Sequence, residues 1–485
     1  MIQPLAVLNV LSVVTLVFAL SMAVPLCVSY AFSDGALSAF GRGMAAIAFA
    51  GLLLRVLTKG RRRELQVRDG FLLVALGWTI MPALAAIPLM LYLPELSFTD
   101  AYFESVSGLT TTGSTVLSGL DLMPESINFW RCQLQWIGGM GIIVLAVAIL
   151  PLLGVGGSQV FRAETPGPMK DNKLTPRITE TAKGLWLVYA GITALCTLAM
   201  KWAGMSWLDA VMHAFTTMSL GGMSSHDASY AYWNSPSIEA VTIFFMVLAG
   251  MNFGTHFIAL RRKSFIPYLR DPEIIPYLVV LAASVAGIAL FLWVNHVYAD
   301  PLTALRHAAF NVVSIATTTG FATLDYNQWP VFAPVWMLFL CCFASCSGST
   351  GAGIKMIRAL LMAKQTLREL MRIVHPRAYL SIKIGGQAVE NNLVFAILAF
   401  MLVYGLSIIA MTMLLAASGL DIVTAFSGII ASINNTGPGL GQIGPAGNYA
   451  VLTDFQTWVC SFAMLLGRLE LFTLVVVLTP AFWRK

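Results

Sequence analysis

Charge is what this sequence has least of. Asp, Glu, Lys and Arg make up 11% of its 485 residues, less than half of the roughly 25% usual in soluble domains, and that excludes an ordinary globular enzyme. Metal-binding and catalytic patterns are missing too. The histidines, His213, His226, His256, His296, His307 and His375, show no HExxH or paired spacing, and satisfied polar contacts are expected of them. Cys27, Cys132, Cys196, Cys341, Cys342, Cys346 and Cys460 fall mostly inside apolar stretches without metal-ligand spacing, so they read as small packing residues. With no nucleophile–base–acid arrangement and no dinucleotide fingerprint, neither catalysis nor a nucleic-acid partner is expected.

What the chain has is apolar length. Hydrophobic residues make up 58% of it, in recurring stretches of about 20 residues, enough for a helix to cross a bilayer. The first stretch, Leu5 to Phe32, has no Lys or Arg ahead of it and is too long for a secretory h-region, so a retained helix is expected. Ten full spans are expected, at about 4–31, 40–57, 71–93, 128–153, 184–203, 237–260, 275–298, 331–354, 393–417 and 456–480. Lys and Arg gather after every second span, in Arg55–Arg68, Arg162–Lys183, Arg261–Arg270 and Lys355–Lys383, and at the end in Arg484 and Lys485. These segments hold 24 of the 29 basic residues, which by the positive-inside rule places them and both termini in the cytoplasm. The opposite face is mostly acidic, an arrangement that concentrates cations.

After spans three, five, seven and nine comes a half-apolar stretch too short to cross. Aligned on Gly113, Gly222, Gly320 and Gly437, these stretches read DAYFESVSGLTTTG, DAVMHAFTTMSLGG, HAAFNVVSIATTTG and TAFSGIIASINNTG, with Ala101, Ala210, Ala308 and Ala425 in one column. Of the twelve residues just before the glycines, all but Leu220 and Gly221 are Thr, Ser or Asn. The pattern predicts a helix/pore-loop/helix unit repeated four times in parallel, over 71–155, 184–262, 275–372 and 393–485, after an N-terminal helix pair at 1–60. The expected fold is thus an all-α integral membrane protein around a central pore.

Irregular backbone at membrane depth survives only when it is buried in protein or lines a water-filled cavity, so such loops must face a pathway. A half-membrane helix of about 10 residues, N-capped near Ser97–Asp100 or Ser206–Asp209, points the negative end of its dipole at the pore, where a cation is favoured. Glycine follows because the strand must turn back with its carbonyls toward the axis, where they can replace the hydration shell of an ion.

These four glycine windows resemble the filter strands of the Trk/Ktr/HKT superfamily of potassium-uptake subunits, over about residues 71–485, with 1–60 matching an extra helix pair found in one branch. The resemblance implies K+ as the transported ion. It also implies filter residues Thr111, Thr112, Gly113, Leu220, Gly221, Gly222, Thr318, Thr319, Gly320, Asn435, Thr436 and Gly437. Each copy departs from the potassium-channel sequence TVGYG, which implies a shorter filter with looser discrimination against sodium, while glycine rather than serine at 113 points to potassium.

Two features do not belong in ordinary spans. Arg468 lies mid-way along the last one, where an Arg costs about 2.5–3.5 kcal/mol to insert. It is expected to face the pathway below the filter as a barrier to cations, as the resemblance supports; the alternative is a structural ion pair, for instance with Glu470. Span eight loses regularity over Ala344–Lys355, rich in Gly and Ser. Ser347, Gly348, Ser349, Thr350, Gly351, Ala352, Gly353 and Lys355 are expected to form an intramembrane gate loop, the role that the corresponding loop has in the family. This stretch lacks the GxxxxGK[ST] spacing of a phosphate-binding loop. The glycine clusters Gly138–Gly141 and Gly250–Gly254 are expected to mark helix bending or close packing.

The function expected is therefore channel-like potassium uptake across the bacterial cytoplasmic (inner) membrane, driven by about 2.3 kcal/mol per charge per 100 mV. The alternative is a secondary transporter coupled to sodium or protons, for which inverted repeats would be more usual. The basic connections are too short to hold a nucleotide-binding domain. By resemblance, a cytosolic TrkA-type ring carrying the nucleotide docks on 162–183, 261–275 and 355–390, and the chain forms a homodimer; contact with anionic lipid is the other reading of these loops.

Overall fold

The computed structural model describes residues 4–59, 66–144, 178–378 and 380–484. The end of the fourth expected span, 145–153, the basic segments 61–63 and 162–177, and the terminal Lys485 lie outside them. The described chain is mostly helical. Six helical stretches are long and apolar enough to cross a membrane: Pro4–Phe32, Leu37–Leu57, Arg68–Tyr92, Lys183–Ala203, Ile274–Val294 and Asn391–Ala417. Apolar side chains such as Val17, Leu20, Phe49, Phe395 and Ile409 remain exposed on them, as expected of surfaces solvated by lipid.

The N-terminal part comprises α1 (Pro4–Ser21), α2 (Ala23–Phe32) and α3 (Leu37–Leu57), of which α1 and α3 pack on α4 (Val67–Tyr92). Gly51 lets α3 lie against Leu16 and Thr15 of α1. Asn9 donates to the Thr58 carbonyl and hydroxyl and accepts from Arg55, closing the polar end of the pair. Phe18 and Phe40 then sandwich Trp130, carried on α6 (Glu125–Val144).

Among the described residues that follow, four half-length helices each come after a long helix and before a helix or a helix pair. These are α5 (Phe98–Leu109), α8 (Trp207–Met218), α13 (Pro301–Ala316) and α17 (Ile422–Ile433). Before them run α4, α7 (Ile178–Ala203), α12 (Ile274–Val294) and α16 (Asn391–Ala417). After them come α6, the pair α9 (Pro236–Ala249) and α10 (Phe253–Arg262) with short α11 (Ile266–Arg270), the pair α14 (Phe332–Cys341) and α15 (Met356–Val374), and the pair α18 (Asp454–Arg468) and α19 (Phe472–Leu478). A two-residue antiparallel hairpin, Lys383–Ile384 with Gln387–Ala388, joins α15 to α16.

Among the described residues, three stretches read from hydropathy as full spans are not continuous helices. The one at 237–260 bends by 94° between α9 and α10, and the one at 456–480 by 115° between α18 and α19. In the first, Gly250 admits the Tyr277 hydroxyl where a Cβ would sit, and Asn252 starts a new helix by accepting the Gly254 N–H at 2.8 Å. In the second, Glu470 and Leu471 take positive φ values of 49° and 54°. The third, 331–354, is helical only to Cys341 and unwinds two residues before the expected Ala344. Hydropathy averages over such breaks, because the side chains stay apolar while the backbone changes course.

Candidate ion pathway

Each half-length helix starts on a capping side chain. Ser97 and Ser206, expected for this role, accept from the N–H groups of Asp100 and Asp209 at 3.1 and 3.0 Å. Asp300 and Asp421 do the same for Thr303 and Thr424 at 2.9 and 3.0 Å. The helices run 12, 12, 16 and 12 residues, longer than the expected ten.

All four end in one backbone turn. Thr111, Leu220, Thr318 and Asn435 have φ of 55°, 53°, 64° and 50°, and two residues on Gly113, Gly222, Gly320 and Gly437 have φ of 86°, 75°, 90° and 97°. The residue between them donates its N–H back five positions: Thr112 to Ser107 at 2.8 Å, Gly221 to Thr216 at 2.8 Å, Thr319 to Ser314 at 2.8 Å and Thr436 to Ala431 at 2.9 Å. This is the Schellman helix stop, made here with a non-glycine residue in the left-handed position, a strain of about 1–3 kcal/mol each that the surrounding structure must over-determine.

The turns close a ring. A Cβ built on Gly113 would collide with the Gly221 carbonyl oxygen, one on Gly222 with that of Thr319, and one on Gly320 with that of Thr436; one on Gly437 would stand 2.8 Å from that of Thr112. The sequence therefore runs from the first turn to the second, third and fourth and back to the first, with carbonyl against glycine at each junction. Gly113, Gly222 and Gly320 are partly accessible, whereas the residues before them are buried. The four quarters are not identical. The Gly437 carbonyl accepts from Ser114 Oγ at 3.0 Å and Tyr449 OH at 2.8 Å, and the Gly221 carbonyl from Gln135 at 2.6 Å.

Directly against the helix ends of this ring lies the irregular segment 342–355. Thr350 Oγ1 donates to the Met218 carbonyl at 2.9 Å, and the Ala352 N–H to Thr318 Oγ1 at 3.2 Å. Gly353 comes close to Asn434 and Gly351 to Thr317. Lys355 Nζ donates to the Gly351 carbonyl, and Ser345 Oγ to that of Ala352 at 2.9 Å. The other flank rests on the α9–α10 bend, where Phe253 N donates to the Gly348 carbonyl and Cys346 N to that of Gly250, both at 3.0 Å.

Arg468, 2% exposed, ends α18 beside this loop. Its guanidinium donates to the Thr350 carbonyl at 3.2 Å and to the Gly138 carbonyl at 2.7 Å, and stands 5.7 Å from the centre of the Trp78 ring. The Glu470 pairing considered for it is not formed: Glu470 pairs with Arg358 at 2.5 Å, because the bend after Arg468 turns the two side chains apart. Positive charge thus sits under the ring, fixed by backbone oxygens.

Four glycine turns thus meet carbonyl to glycine in a ring, with an irregular loop and a buried guanidinium packed against its helix ends. The cation transport family model TrkH matches residues 37–485. The chain belongs to the TrkH family. TrkH relatives include the Trk system potassium uptake protein TrkH of Halomonas elongata, 46% identical over 481 residues and covering 99% of both chains. The Trk system potassium uptake protein TrkG of Escherichia coli is 37% identical over 429 residues, 88% of each chain. The crystal structure of the potassium transporter TrkH from Vibrio parahaemolyticus superposes with a TM-score of 0.91, at 41% identity and full coverage of both chains. A TrkH chain is a multi-pass membrane transport protein, not an enzyme.

All twelve expected filter residues fall on the four turns, and the expected gate residues with Arg468 fall together under them. Three contributors were not legible. The Gly138 carbonyl receives Arg468, although the glycine cluster was given only a bending or packing role; Gly138 and Gly139 do pack closely, against Leu109 and Ser219. Glu273 accepts from the Ser347 and Ile357 N–H groups at 2.8 and 3.1 Å and so anchors both ends of the loop. Gln135 reaches the second turn from a span read as simply apolar. A polar residue inside an apolar run was the available signal for Gln135; Glu273 stands just before a span, and a glycine carbonyl carries no signal of its own. Of the histidines, His213 is bonded to the Asp209 carbonyl and Ser224 and His256 to Tyr268 and the Leu248 carbonyl, whereas the buried Nε2 of His226 makes no hydrogen bond.

Proposed function

We propose that the chain is a potassium-uptake subunit of the bacterial inner membrane, with both termini cytoplasmic, in which Gly113, Gly222, Gly320 and Gly437 mark a filter of backbone oxygens for dehydrated K+. The observation that carries this reading is the closed ring of four glycine turns; the relatives named as Trk system potassium uptake proteins support the choice of ion. Residues 71–155, 184–262, 275–372 and 393–485 act as four parallel units, after the helix pair 1–60. The loop 347–353, with Lys355 and Arg468, is the gate: while Arg468 holds Thr350, the passage below the filter is shut and carries a positive charge that repels cations.

Opening requires an outside source of free energy, because the loop's hydrogen bonds are internal and mutually supporting. We assign that role to a cytosolic TrkA-type subunit carrying the nucleotide and bearing on 162–183, 261–275 and 355–390, with the chain working as a homodimer. The last of these segments includes α15, continuous with the loop through Lys355, so a pull on it reaches the gate directly.

Flux into liposomes containing the purified protein, measured under separate K+, Na+ and H+ gradients, tests the reading. Potassium movement down its own gradient alone is the expected result. Potassium movement that requires a Na+ or H+ gradient would replace the channel with a coupled transporter, and Na+ flux equal to K+ flux would remove the filter assignment.

A further inference from the structure

Glu104 stands on α5 nine residues before Gly113, and the same register is filled by His213, Asn311 and Gly428 before the other three glycines. In three units this position ties the helix to the strand leaving the ring. Glu104 accepts from Thr115 Oγ1 at 2.9 and 3.0 Å and from the Val116 N–H at 3.1 Å. His213 meets Ser224 Oγ at 2.9 Å, and Asn311 exchanges bonds of 2.8 and 3.2 Å with Thr323. In the fourth unit the residue is glycine, and the neighbouring Ser427 accepts from Leu440 N at 2.8 Å instead.

Among these four ties, the first alone is ionic. Arg131 of α6 bonds Glu104 at 2.7 Å, with both side chains 1% exposed. The guanidinium does more than neutralise the carboxylate: it also donates to Thr115 Oγ1 at 3.2 Å and to the Ser224 carbonyl at 3.1 Å. Ser224 belongs to the strand leaving the second turn. One side-chain pair therefore spans two quarters of the ring. A neutral tie suffices at the other positions, and a buried ion pair is a poor source of net stability, so the charge has another use. Charge-assisted bonds are shorter and stiffer than neutral ones, and ion discrimination depends on where the oxygens stand.

We propose that Glu104 and Arg131 are positioning residues that set the ion preference of the filter by holding the strands after Gly113 and Gly222 at a fixed separation. This rests on the filter reading above.

The test is the K+/Na+ permeability ratio in liposomes for Glu104→Gln, Arg131→Lys, Thr115→Val and Thr115→Ser, with Gly113→Ser as reference and thermal unfolding in detergent measured alongside. Relaxed strands lower the ratio by about tenfold in the first two. Thr115→Val moves it the same way and Thr115→Ser restores it, because the hydroxyl and not the methyl makes the bond. If a buried-charge variant fails to fold, the Thr115 pair decides. Unchanged ratios with only a lower melting temperature would overturn the positioning role. In that outcome a changed Gly113→Ser ratio leaves the filter reading standing, and an unchanged one removes both.

Discussion

The ring of turns and the loop beneath it are both irregular, both glycine-rich and both largely buried, yet they are held in different ways. In the ring, backbone locks backbone: each glycine makes room for the next turn's carbonyl, and each turn closes on its own helix through main-chain bonds. In the loop, replaceable side chains do much of the work, with Thr350, Thr318, Ser345, Lys355, Glu273 and Arg468 each contributing bonds. A structure fixed by sterics has one arrangement. One fixed by a few polar bonds can exchange them for water, which is the ground on which the proposal has the loop move and the ring discriminate.

The largest effect should come from breaking the ring's steric lock. Gly222→Ala adds about 1–2 kcal/mol for the left-handed backbone and a collision with the Thr319 oxygen, so K+ flux in liposomes should vanish while the protein still reaches the membrane. Normal flux would mean that the turns tolerate separation. Next in size, deleting Ser347 to Ala352 should leave uptake constitutively open in cells lacking the regulatory subunit; a deletion mutant that is fully expressed and still regulated would show that the loop is not the obstruction.

Removing a single polar anchor sharpens the contrast. Arg468→Gln takes away the charge below the ring and its bonds to Gly138 and Thr350, and should raise K+ flux by about tenfold, a barrier change of about 1.4 kcal/mol. Unaltered flux at unaltered stability would assign Arg468 to packing alone.

The smallest effect concerns the opposite side of the ring. There His226 stacks on Tyr232 with ring centres 3.6 Å apart and contacts Asp121 at 2.5 Å and Asp209 at 3.5 Å, joining the loops that follow the first and second turns. Burial of the ring works against its protonation, but the Asp209 and Asp121 carboxylates outweigh this and raise its pKa above the ordinary 6.5. A raised pKa stabilises the fold fully below 6.5 and loses that contribution as pH climbs through the folded-state value. The melting temperature should therefore fall by a few degrees between mildly acidic and alkaline pH, and His226→Gln should flatten that dependence. An equal slope in the variant would locate the titration elsewhere.

Much of the site was readable because its parts recur. Gly113, Gly222, Gly320 and Gly437 could be aligned because an alanine column accompanies them and because hydropathy places a short apolar run before each. Leu220 and Gly221 broke the Thr/Ser/Asn pattern, yet the second turn has the same backbone as the others, since the left-handed position demands a helix stop and not a hydroxyl. The bend at Gly250 was legible as a glycine cluster, whereas that after Arg468 was not, for Leu469, Glu470 and Leu471 carry no breaker residue.

By itself the sequence determined that this chain lives in a bilayer, that four short segments repeat a helix followed by a glycine turn, and that Arg468 and the segment 347–355 are out of place in regular spans. These follow from composition, periodicity and insertion cost, which are local properties. Tertiary structure alone decided that the turns close on one another, that Arg468 clasps Gly138 and Thr350 and leaves Glu470 to Arg358, and that Glu273 and the Glu104–Arg131 pair brace what lies on either side of the ring. Those contacts join residues far apart in the chain, and their partners are often backbone oxygens, which every residue possesses and no sequence distinguishes.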